Sequence, residues 1–306
     1  MRQLLTSLAA LFLSIVSLPA FAQEKKELDP AIANDPQKMF EPRDFADQAG
    51  NVLKYRLLKP ANYNPNQKYP LVIFLHGAGE RGNDNKIQLV HGMKDFLDAE
   101  RRKSMPCYVL APQCPAGKKW VEVDWSSDTS TIPEKVSDSL GLTIELVKSM
   151  IETAAVDPNR IYITGLSMGG YGTWDALARH PEMFAAAAPI CGGGDPSTVA
   201  RFKNIPLWAF HGDEDKAVKV ERTRAMIEAL KTAGGEPKYT EYPGVGHDSW
   251  TATYKNPEFH QWLFTQRRPK KPGDSVKAAE EASEDKPSED KPSEDKPSEE
   301  KPSQDK

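Results

Sequence analysis

The stretch Ile161-Tyr162-Ile163-Thr164-Gly165-Leu166-Ser167-Met168-Gly169-Gly170 decides the fold of this chain. Its first four residues are aromatic or β-branched, which is typical of a buried strand. Residues 171–180, which follow, have the pattern of a helix. The pattern Gly-x-Ser-x-Gly between the two holds a serine on a sharp turn, where glycines avoid collisions with neighbouring backbone. The stretch therefore predicts a strand, a tight turn that carries Ser167, and a helix.

Strand-like and helical patterns alternate on both sides of this turn. Such alternation is typical of a mostly parallel central sheet with helices on both faces. We therefore predict one α/β domain over residues 23–270. The predicted strands are residues 71–75, 107–110, 161–164, 185–190, 207–210 and 239–242, and the predicted helices are residues 134–153, 171–180, 221–232 and 259–266.

Residues 1–22 have the composition of an export signal. Arg2 precedes an apolar run over residues 4–18, and Ala20-Phe21-Ala22 has the small-x-small pattern of a signal-peptidase site. The run is short for a bilayer span, and an uncleaved membrane anchor is the alternative. We predict a signal peptide over residues 1–22, a mature chain that begins at Gln23, and a secreted or periplasmic protein with no stable membrane insertion.

Residues 271–306 differ in composition from the rest of the chain. A Ser-Glu-Asp-Lys-Pro repeat begins at Ser283 and recurs three times with small changes. No aromatic or β-branched residue follows Val276, so the segment cannot bury enough apolar surface to offset the entropy of ordering. We predict a disordered acidic tail, which is either a passive solubilising segment or a tether for a partner or cell wall.

Formal net charge also separates this tail from the predicted domain. The whole chain carries −4, and twelve acidic residues and six lysines lie between Asp274 and Lys306. The remainder is therefore near +2, which gives no basis for nucleic-acid binding. We predict no nucleic-acid partner, and the sequence makes no prediction about the oligomeric state.

The serine on the predicted turn needs a base, because a serine hydroxyl is a poor nucleophile until its proton is taken. His247 is the candidate, since it lies in Gly244-Val245-Gly246-His247-Asp248, a glycine-rich loop after the last predicted strand. A side chain on that loop can reach across the edge of the sheet. His76 and His211 are predicted to order turns, and the three others are predicted to have surface or packing roles: His91, His180 and His260.

The histidine in turn needs an acid, which lies between the serine and the histidine in chain order in this arrangement. His211-Gly212-Asp213-Glu214-Asp215 follows a predicted strand and offers three carboxylates. Asp215 is the candidate because it lies deeper in the loop. Asp213 is the alternative, although a residue at its position also suits an Asx turn that holds the loop.

Two backbone N–H groups are needed to hold the negative charge that develops on a carbonyl oxygen. Met168, which follows the serine, is expected to supply one. Ala78, in the loop after the first predicted strand, is expected to supply the other.

Three tryptophans lie in loops expected near this edge of the sheet: Trp120, Trp125 and Trp250. Aromatic rings at such positions suit a phenolic group or a sugar ring, and we take them as candidate substrate contacts. A packing role is the alternative for each of the three. The sequence alone does not separate these two roles.

The cysteines are too few and too scattered for a disulfide framework. An oxidising compartment would permit one disulfide among Cys107, Cys114 and Cys191, and the apolar run around Cys107 favours a buried free thiol there. The pairing is left open. No cluster of residues has the spacing of metal ligands, so we predict neither a metal nor a cofactor.

Five motifs occur in the order expected of one known group of proteins. After His76-Gly77-Ala78-Gly79 and Ala111-Pro112-Gln113-Cys114-Pro115 come the serine turn, the loop that ends at Asp215, and Gly246-His247-Asp248-Ser249-Trp250. Over residues 54–266 the chain resembles the phospholipase/carboxylesterase and dienelactone-hydrolase-like branch of the α/β-hydrolases. That branch includes polyhydroxybutyrate-depolymerase-like and feruloyl-esterase-like secreted enzymes.

The resemblance implies both a fold and a function. It implies the α/β-hydrolase fold, Asp215 as the acid at the second Asp of the His-Gly-x-x-Asp turn, and Ala78 as the N–H donor after His-Gly. It further implies a serine esterase that cleaves carboxylic esters, including esters linked to carbohydrate or phenolic material, through an acyl-enzyme. A secreted peptidase related to the prolyl oligopeptidases is one alternative, although no β-propeller-sized region precedes the domain. A non-catalytic cell-surface binding protein on the same fold is the other.

Overall fold

The centre of the fold is a sheet of eight strands, which a computed structural model describes within residues 29–125 and 127–268. In chain order the strands are β1 Glu41–Ala46, β2 Val52–Leu58, β3 Tyr69–Leu75, β4 Tyr108–Pro112, β5 Val156–Leu166, β6 Ala186–Ile190, β7 Trp208–Gly212 and β8 Lys238–Tyr242. Their order across the sheet is β1-β2-β4-β3-β5-β6-β7-β8. Strands β3 to β8 run parallel, and β1 and β2 are antiparallel at one edge. The predicted mostly parallel α/β class is confirmed.

Helices fill the connections between these strands. Short 3₁₀ helices occupy Ala78–Glu80, Ile87–Leu89, Met93–Leu97 and Pro196–Arg201. The α-helices are α1 Pro30–Ala33, α2 Pro36–Met39, α3 Ala99–Ser104, α4 Asp138–Thr153, α5 Met168–Arg179, α6 Glu221–Thr232, α7 Trp250–Lys255 and α8 Pro257–Thr265.

The two faces of the sheet are both covered, as the side chains of β3 show. Leu71, Ile73 and Leu75 point to a core shared with α4, α5 and α6. Val72 and Phe74, between them, point to a second core shared with α8 and the 3₁₀ helix Met93–Leu97. Because both faces are buried, β3 is a continuous apolar run rather than an alternating one.

Helix α5 begins at Met168, three residues earlier than residues 171–180 predict. Gly169 and Gly170 are poor helix formers, which is why the sequence pattern begins only after them. Tertiary packing decides the position instead, because a Cβ on Gly169 would overlap the carbonyl oxygen of Leu75. The glycine lets the first turn of the helix press against the end of β3.

The largest differences between the predicted and observed starting residues are those of α4 and β5. Helix α4 begins at Asp138 rather than at residue 134, because the Ser137 hydroxyl caps it by accepting the Leu140 N–H at 3.2 Å. Strand β5 begins at Val156 rather than at residue 161, and Val156 pairs with Tyr69 before a register shift.

Strands β1 and β2 were not predicted. Strand β1 is mostly exposed at the edge of the sheet and contains Pro42, so its sequence lacks the apolar run of a buried strand. Strand β2 alternates between exposed and buried side chains only in its first half, where Val52 is exposed and Leu53 is buried.

The predicted signal peptide over residues 1–22 and the predicted tail over residues 271–306 lie outside the described residues. Within residues 29–125 and 127–268, no helix has the length and apolar character that crossing a membrane requires.

The parallel strands at the centre should dominate the stability of the fold. Ile163 on β5 is 0% exposed, so Ile163→Ala should lower the free energy of unfolding by about 3 kcal/mol through lost burial and a residual cavity. Val52 on β2 is 55% exposed, and Val52→Ala should change it by about 0.5 kcal/mol or less. Urea unfolding followed by circular dichroism measures both, and equal losses would contradict this assignment of the core.

Candidate active site

Ser167 lies on the turn between β5 and α5, at the carboxyl edge of the parallel strands. Its backbone has φ +54° and ψ −118°, a conformation that is strained for a residue with a side chain. The turn is held in place because the Ser167 N–H donates to the carbonyl oxygen of Ile190 at 2.9 Å. The strained turn leaves the Ser167 side chain partly exposed at the edge of the sheet.

The structure brings Ser167, His247 and Asp215 together, although they are far apart in the sequence. Nε2 of His247 lies 2.9 Å from Oγ of Ser167, and Nδ1 of His247 lies 2.7 Å from Oδ2 of Asp215. A carboxylate only accepts, so Nδ1 carries the proton and donates it to Asp215. Nε2 is therefore free to accept the Ser167 hydroxyl proton.

Asp215 is fixed by several donors. Its Oδ1 accepts the N–H groups of Ala217 at 2.8 Å and Val218 at 3.0 Å, and its side chain is completely buried. Burial raises the pKa of Asp215, but hydrogen bonds from His211, His247 and Val218 outweigh it and hold the pKa well below its usual range. The carboxylate is therefore charged throughout the neutral pH range.

The alternative acid, Asp213, occupies a different position. It is exposed, and its Oδ1 accepts the N–H of Gly244 at 2.7 Å. That contact joins the two loops that carry Asp215 and His247, so Asp213 ties two loops together rather than forming the local Asx turn expected from the sequence.

Two backbone N–H groups flank the turn that carries Ser167. Met168 is the first residue of α5 and Ala78 is the first residue of a 3₁₀ helix, and neither helix has a side-chain cap. The N–H groups of a first helical turn have no partner within the helix, so both suit a developing anion. The two loops touch, because a Cβ on Gly77 would lie 2.8 Å from the Leu166 side chain.

His76 and Trp120 support the loop that carries Ala78. Nδ1 of His76 donates to the Gly77 carbonyl at 2.6 Å, and its Nε2 accepts the Cys114 N–H at 2.9 Å. Burial lowers the pKa of His76 to about 4, so the ring is neutral. The Trp120 indole N–H donates to the His76 carbonyl at 2.9 Å.

Trp120 therefore does not have the position expected of a substrate contact. Its ring is 0% exposed, so it offers no surface to a ligand, and the prediction that it contacts substrate is wrong. The Trp120 side chain packs closely against helix α5 at Gly172 instead, where a Cβ on the glycine would lie 2.7 Å from the Cβ of Trp120. A tryptophan in a loop carries no sequence signal that separates the two roles.

The other two tryptophans are partly exposed. The Trp250 ring lies 5.2 Å from the His247 ring and 5.3 Å from the His91 ring, which places it beside the candidate base. Trp125 lies beneath two cations, with Nζ of Lys119 at 4.8 Å and the Arg81 guanidinium at 5.9 Å from its ring centre. Trp250 is thus in direct contact with the ring of the candidate base.

The three cysteines are free thiols: Cys107, Cys114 and Cys191. Burial raises the pKa of Cys107 to about 12 and that of Cys114 to about 11, so both are protonated at neutral pH. Sγ of Cys191 lies within 4.8 Å of ligand atoms of Asp215 and His247. Those two residues already bind each other and burial also raises the pKa of the Cys191 thiol, so the three do not offer a ready metal site.

His211 makes a contact with Asp215 that its sequence pattern does not predict. It was expected to order a turn, but its Nε2 lies 3.1 Å from the same Asp215 oxygen that His247 contacts. Its place four residues before the acid, in the same motif, was the only available signal.

Known proteins share much of this chain. Residues 63–256 match the family model described as phospholipase/carboxylesterase. Carboxylesterase SOBER1 of Arabidopsis thaliana is 27% identical over 193 residues, which cover 58% of this chain and 82% of that protein. The crystal structure of a thermostable esterase is 44% identical with a TM-score of 0.70, and the match covers 75% of this chain and 64% of that one.

A longer relative is named only as a secreted protein. This protein of Arthroderma benhamiae is 25% identical over 238 residues, or 65% of this chain. The matched region is 24% of the relative's own length, so this chain corresponds to about a quarter of that protein.

Proposed function

Because the chain belongs to the phospholipase/carboxylesterase family, we propose that it is a carboxylic ester hydrolase in which Ser167, His247 and Asp215 form the catalytic triad. The observation that supports this most directly is the unbroken chain of hydrogen bonds from Ser167 Oγ through His247 to Asp215. Esterases among the related proteins support the same reaction class.

The first half of the reaction forms an acyl-enzyme. Ser167 Oγ attacks the ester carbonyl carbon while Nε2 of His247 takes the hydroxyl proton. The carbonyl oxygen becomes an anion that accepts hydrogen bonds from the N–H groups of Ala78 and Met168. The intermediate then collapses, the alcohol leaves with the proton from His247, and the acyl group stays on Ser167.

The second half releases the acid. His247 takes a proton from water, the resulting hydroxide attacks the acyl carbon, and Ser167 leaves with the proton returned by His247. Asp215 accepts from Nδ1 throughout, which fixes the imidazole orientation and stabilises its protonated form. None of these steps calls on a metal or a cofactor.

The substrate is proposed to be a small-molecule or carbohydrate-linked ester, with an acyl or alcohol part that contains a phenolic or sugar ring. The support is Trp250, whose partly exposed ring lies beside His247. An aromatic face binds flat rings through offset stacking. Trp125, whose ring lies beside Arg81 in the loop after β3, is a second candidate contact.

Ser167→Ala should lower kcat for p-nitrophenyl acetate by about 10⁴-fold or more, because no other group can accept the acyl chain. Ser197→Ala, at an exposed serine, is the matched control and should keep wild-type activity. Circular dichroism checks that both variants fold. Full activity in Ser167→Ala would show that the nucleophile is misassigned.

The same assay, extended to a panel, separates substrate classes. We expect acetylated sugars and feruloyl esters to give higher kcat/KM than short aliphatic esters, and prolyl anilides to be inert. Preferential cleavage of the anilides would identify a peptidase. No turnover of any compound and no labelling by a fluorophosphonate would favour a non-catalytic binding protein.

The choice between the two candidate acids has its own test. Asp215→Asn should lower kcat/KM by about 10³- to 10⁴-fold, because the amide favours the wrong imidazole tautomer. Asp213→Asn should retain activity within about threefold, since the side-chain oxygen of Asp213 binds the Gly244 N–H rather than His247. The reverse ranking in the ester assay would assign the acid to Asp213.

We also propose that the protein is secreted or periplasmic. The apolar run and the Ala20-Phe21-Ala22 site support export, as does the relative named as secreted. N-terminal sequencing of the protein recovered from the periplasm or medium should begin at Gln23. A chain that stays in the membrane fraction with Met1 intact would identify an anchor instead.

A further inference from the structure

His211 lies near the end of β7 with both of its ring nitrogens against oxygen atoms, and its side chain is 0% exposed. Nε2 lies 3.1 Å from Oδ2 of Asp215 and 2.9 Å from the carbonyl oxygen of Val218. Nδ1 lies 2.7 Å from Oγ1 of Thr223. Since a ring nitrogen either donates or accepts, these contacts restrict where protons can be.

Nε2 must carry a proton, because a carboxylate and a carbonyl oxygen only accept. Whether Nδ1 carries a proton depends on the hydrogen bond that its partner, the Thr223 hydroxyl, makes with a further residue. The Thr223 hydroxyl lies 2.7 Å from the carbonyl oxygen of Gly192 and donates its single proton there. The hydroxyl oxygen is thus left to accept, and Nδ1 must donate to it.

Neither neutral form of the ring satisfies every contact. With a proton on Nε2 alone, the single Thr223 hydroxyl proton can reach only one of its two neighbours, Nδ1 of His211 or the Gly192 carbonyl oxygen. The other neighbour is then left against the Thr223 oxygen with no hydrogen between them. A proton on Nδ1 alone leaves Nε2 facing two acceptors, one of which is the charged Asp215.

We propose that His211 is a buried imidazolium, the counter-ion of Asp215, and a positioning residue that keeps His247 in its neutral form. Its part in catalysis rests on the proposed function, whereas its protonation state does not. The triad would then extend to a fourth residue, in the order Ser167, His247, Asp215, His211.

The burial of Asp215 supports this assignment. Its side chain and that of His211 are both 0% exposed, and an isolated buried carboxylate would be costly. A pair of opposite charges in direct contact has no net charge. Burial raises the pKa of Asp215, and the hydrogen bond from His211 is the largest contribution that lowers it.

The effect on His247 follows from the shared oxygen atom. His211 and His247 both bind Oδ2 of Asp215, so their contacting nitrogens are no more than about 6 Å apart. A positive charge at that distance disfavours a second positive charge on His247. The charge on His211 therefore favours the neutral form of His247, which can act as a base.

One further carboxylate interacts electrostatically with His211, and it is already paired with an arginine. Glu241 on β8 is in register with His211, but its Oε1 binds Nη2 of Arg224 at 2.5 Å. Further titratable or charged groups near this pair are Arg222 on α6, Cys191 after β6, and Tyr171 on α5.

Nuclear magnetic resonance of the full chain with ¹⁵N-labelled histidine tests the protonation state directly. Both ring nitrogens of His211 should be protonated from about pH 6 to about pH 8, with the signals assigned by their absence in His211→Gln. A single protonated nitrogen in that range would overturn the proposal, whatever the enzyme assays give.

The catalytic effect is tested by the pH dependence of kcat/KM. His211→Gln keeps an N–H donor but removes the charge, so the acid limb should move to higher pH by about one pH unit. Thr223→Val removes the acceptor for Nδ1–H and should move the limb in the same direction. Thr223→Ser keeps the hydroxyl and should restore the wild-type profile.

The matched control is His260→Gln. His260 is also buried, with Nε2 against the Tyr254 carbonyl at 2.7 Å, but it lies on α8 away from Asp215. This variant should lose stability without moving the acid limb. An unmoved limb in Thr223→Val would refute the positioning role even if His211→Gln failed to fold.

The same measurements distinguish a failure of the proposed function from a failure of the proposal about His211. If Ser167→Ala kept full ester hydrolysis, the triad would be wrong, yet the ¹⁵N signals would still report the charge on His211. If Ser167→Ala were inactive and the acid limb did not move in His211→Gln or Thr223→Val, the triad would be supported and the positioning role of His211 would be refuted.

Discussion

The contact between the end of β3 and the first turn of α5 sets the geometry of the whole site. At Gly169 the helix backbone lies against the Leu75 carbonyl, closer than any side chain would permit. That contact forces the chain through the positive φ of Ser167 and brings the Ala78 loop up to the same turn. Ser167 and both candidate N–H donors are thus fixed by one packing constraint.

A second constraint is electrostatic and acts at Asp215. A carboxylate with a completely buried side chain needs donors on every side, and the chain supplies them from two backbone N–H groups and two histidines. The loops that carry Asp215 and His247 are in addition tied together by Asp213. The precision of the site therefore comes from loops held by polar contacts, on strands held by apolar packing.

The sequence allowed the sheet class, the serine turn and the order of serine, acid and histidine to be predicted, because each has a local pattern. Strand β1 escaped prediction since an exposed edge strand with Pro42 needs no apolar run. The early start of α5 escaped because helix propensity at Gly169 and Gly170 is low and only the contact with β3 reverses it. Trp120 contacts residues that are distant in the sequence, and the contact of His211 with Asp215, four residues later, depends on how the loop between them folds; no local pattern shows either.

The most direct test of the central claim is covalent labelling of the full chain with a fluorophosphonate, followed by peptide mass spectrometry. Such a reagent phosphonylates a serine only where a neighbouring base activates it and N–H donors hold the oxyanion. We expect one adduct per chain, on Ser167, that forms far more slowly in Asp215→Asn. No adduct, or one on any other residue, would contradict it.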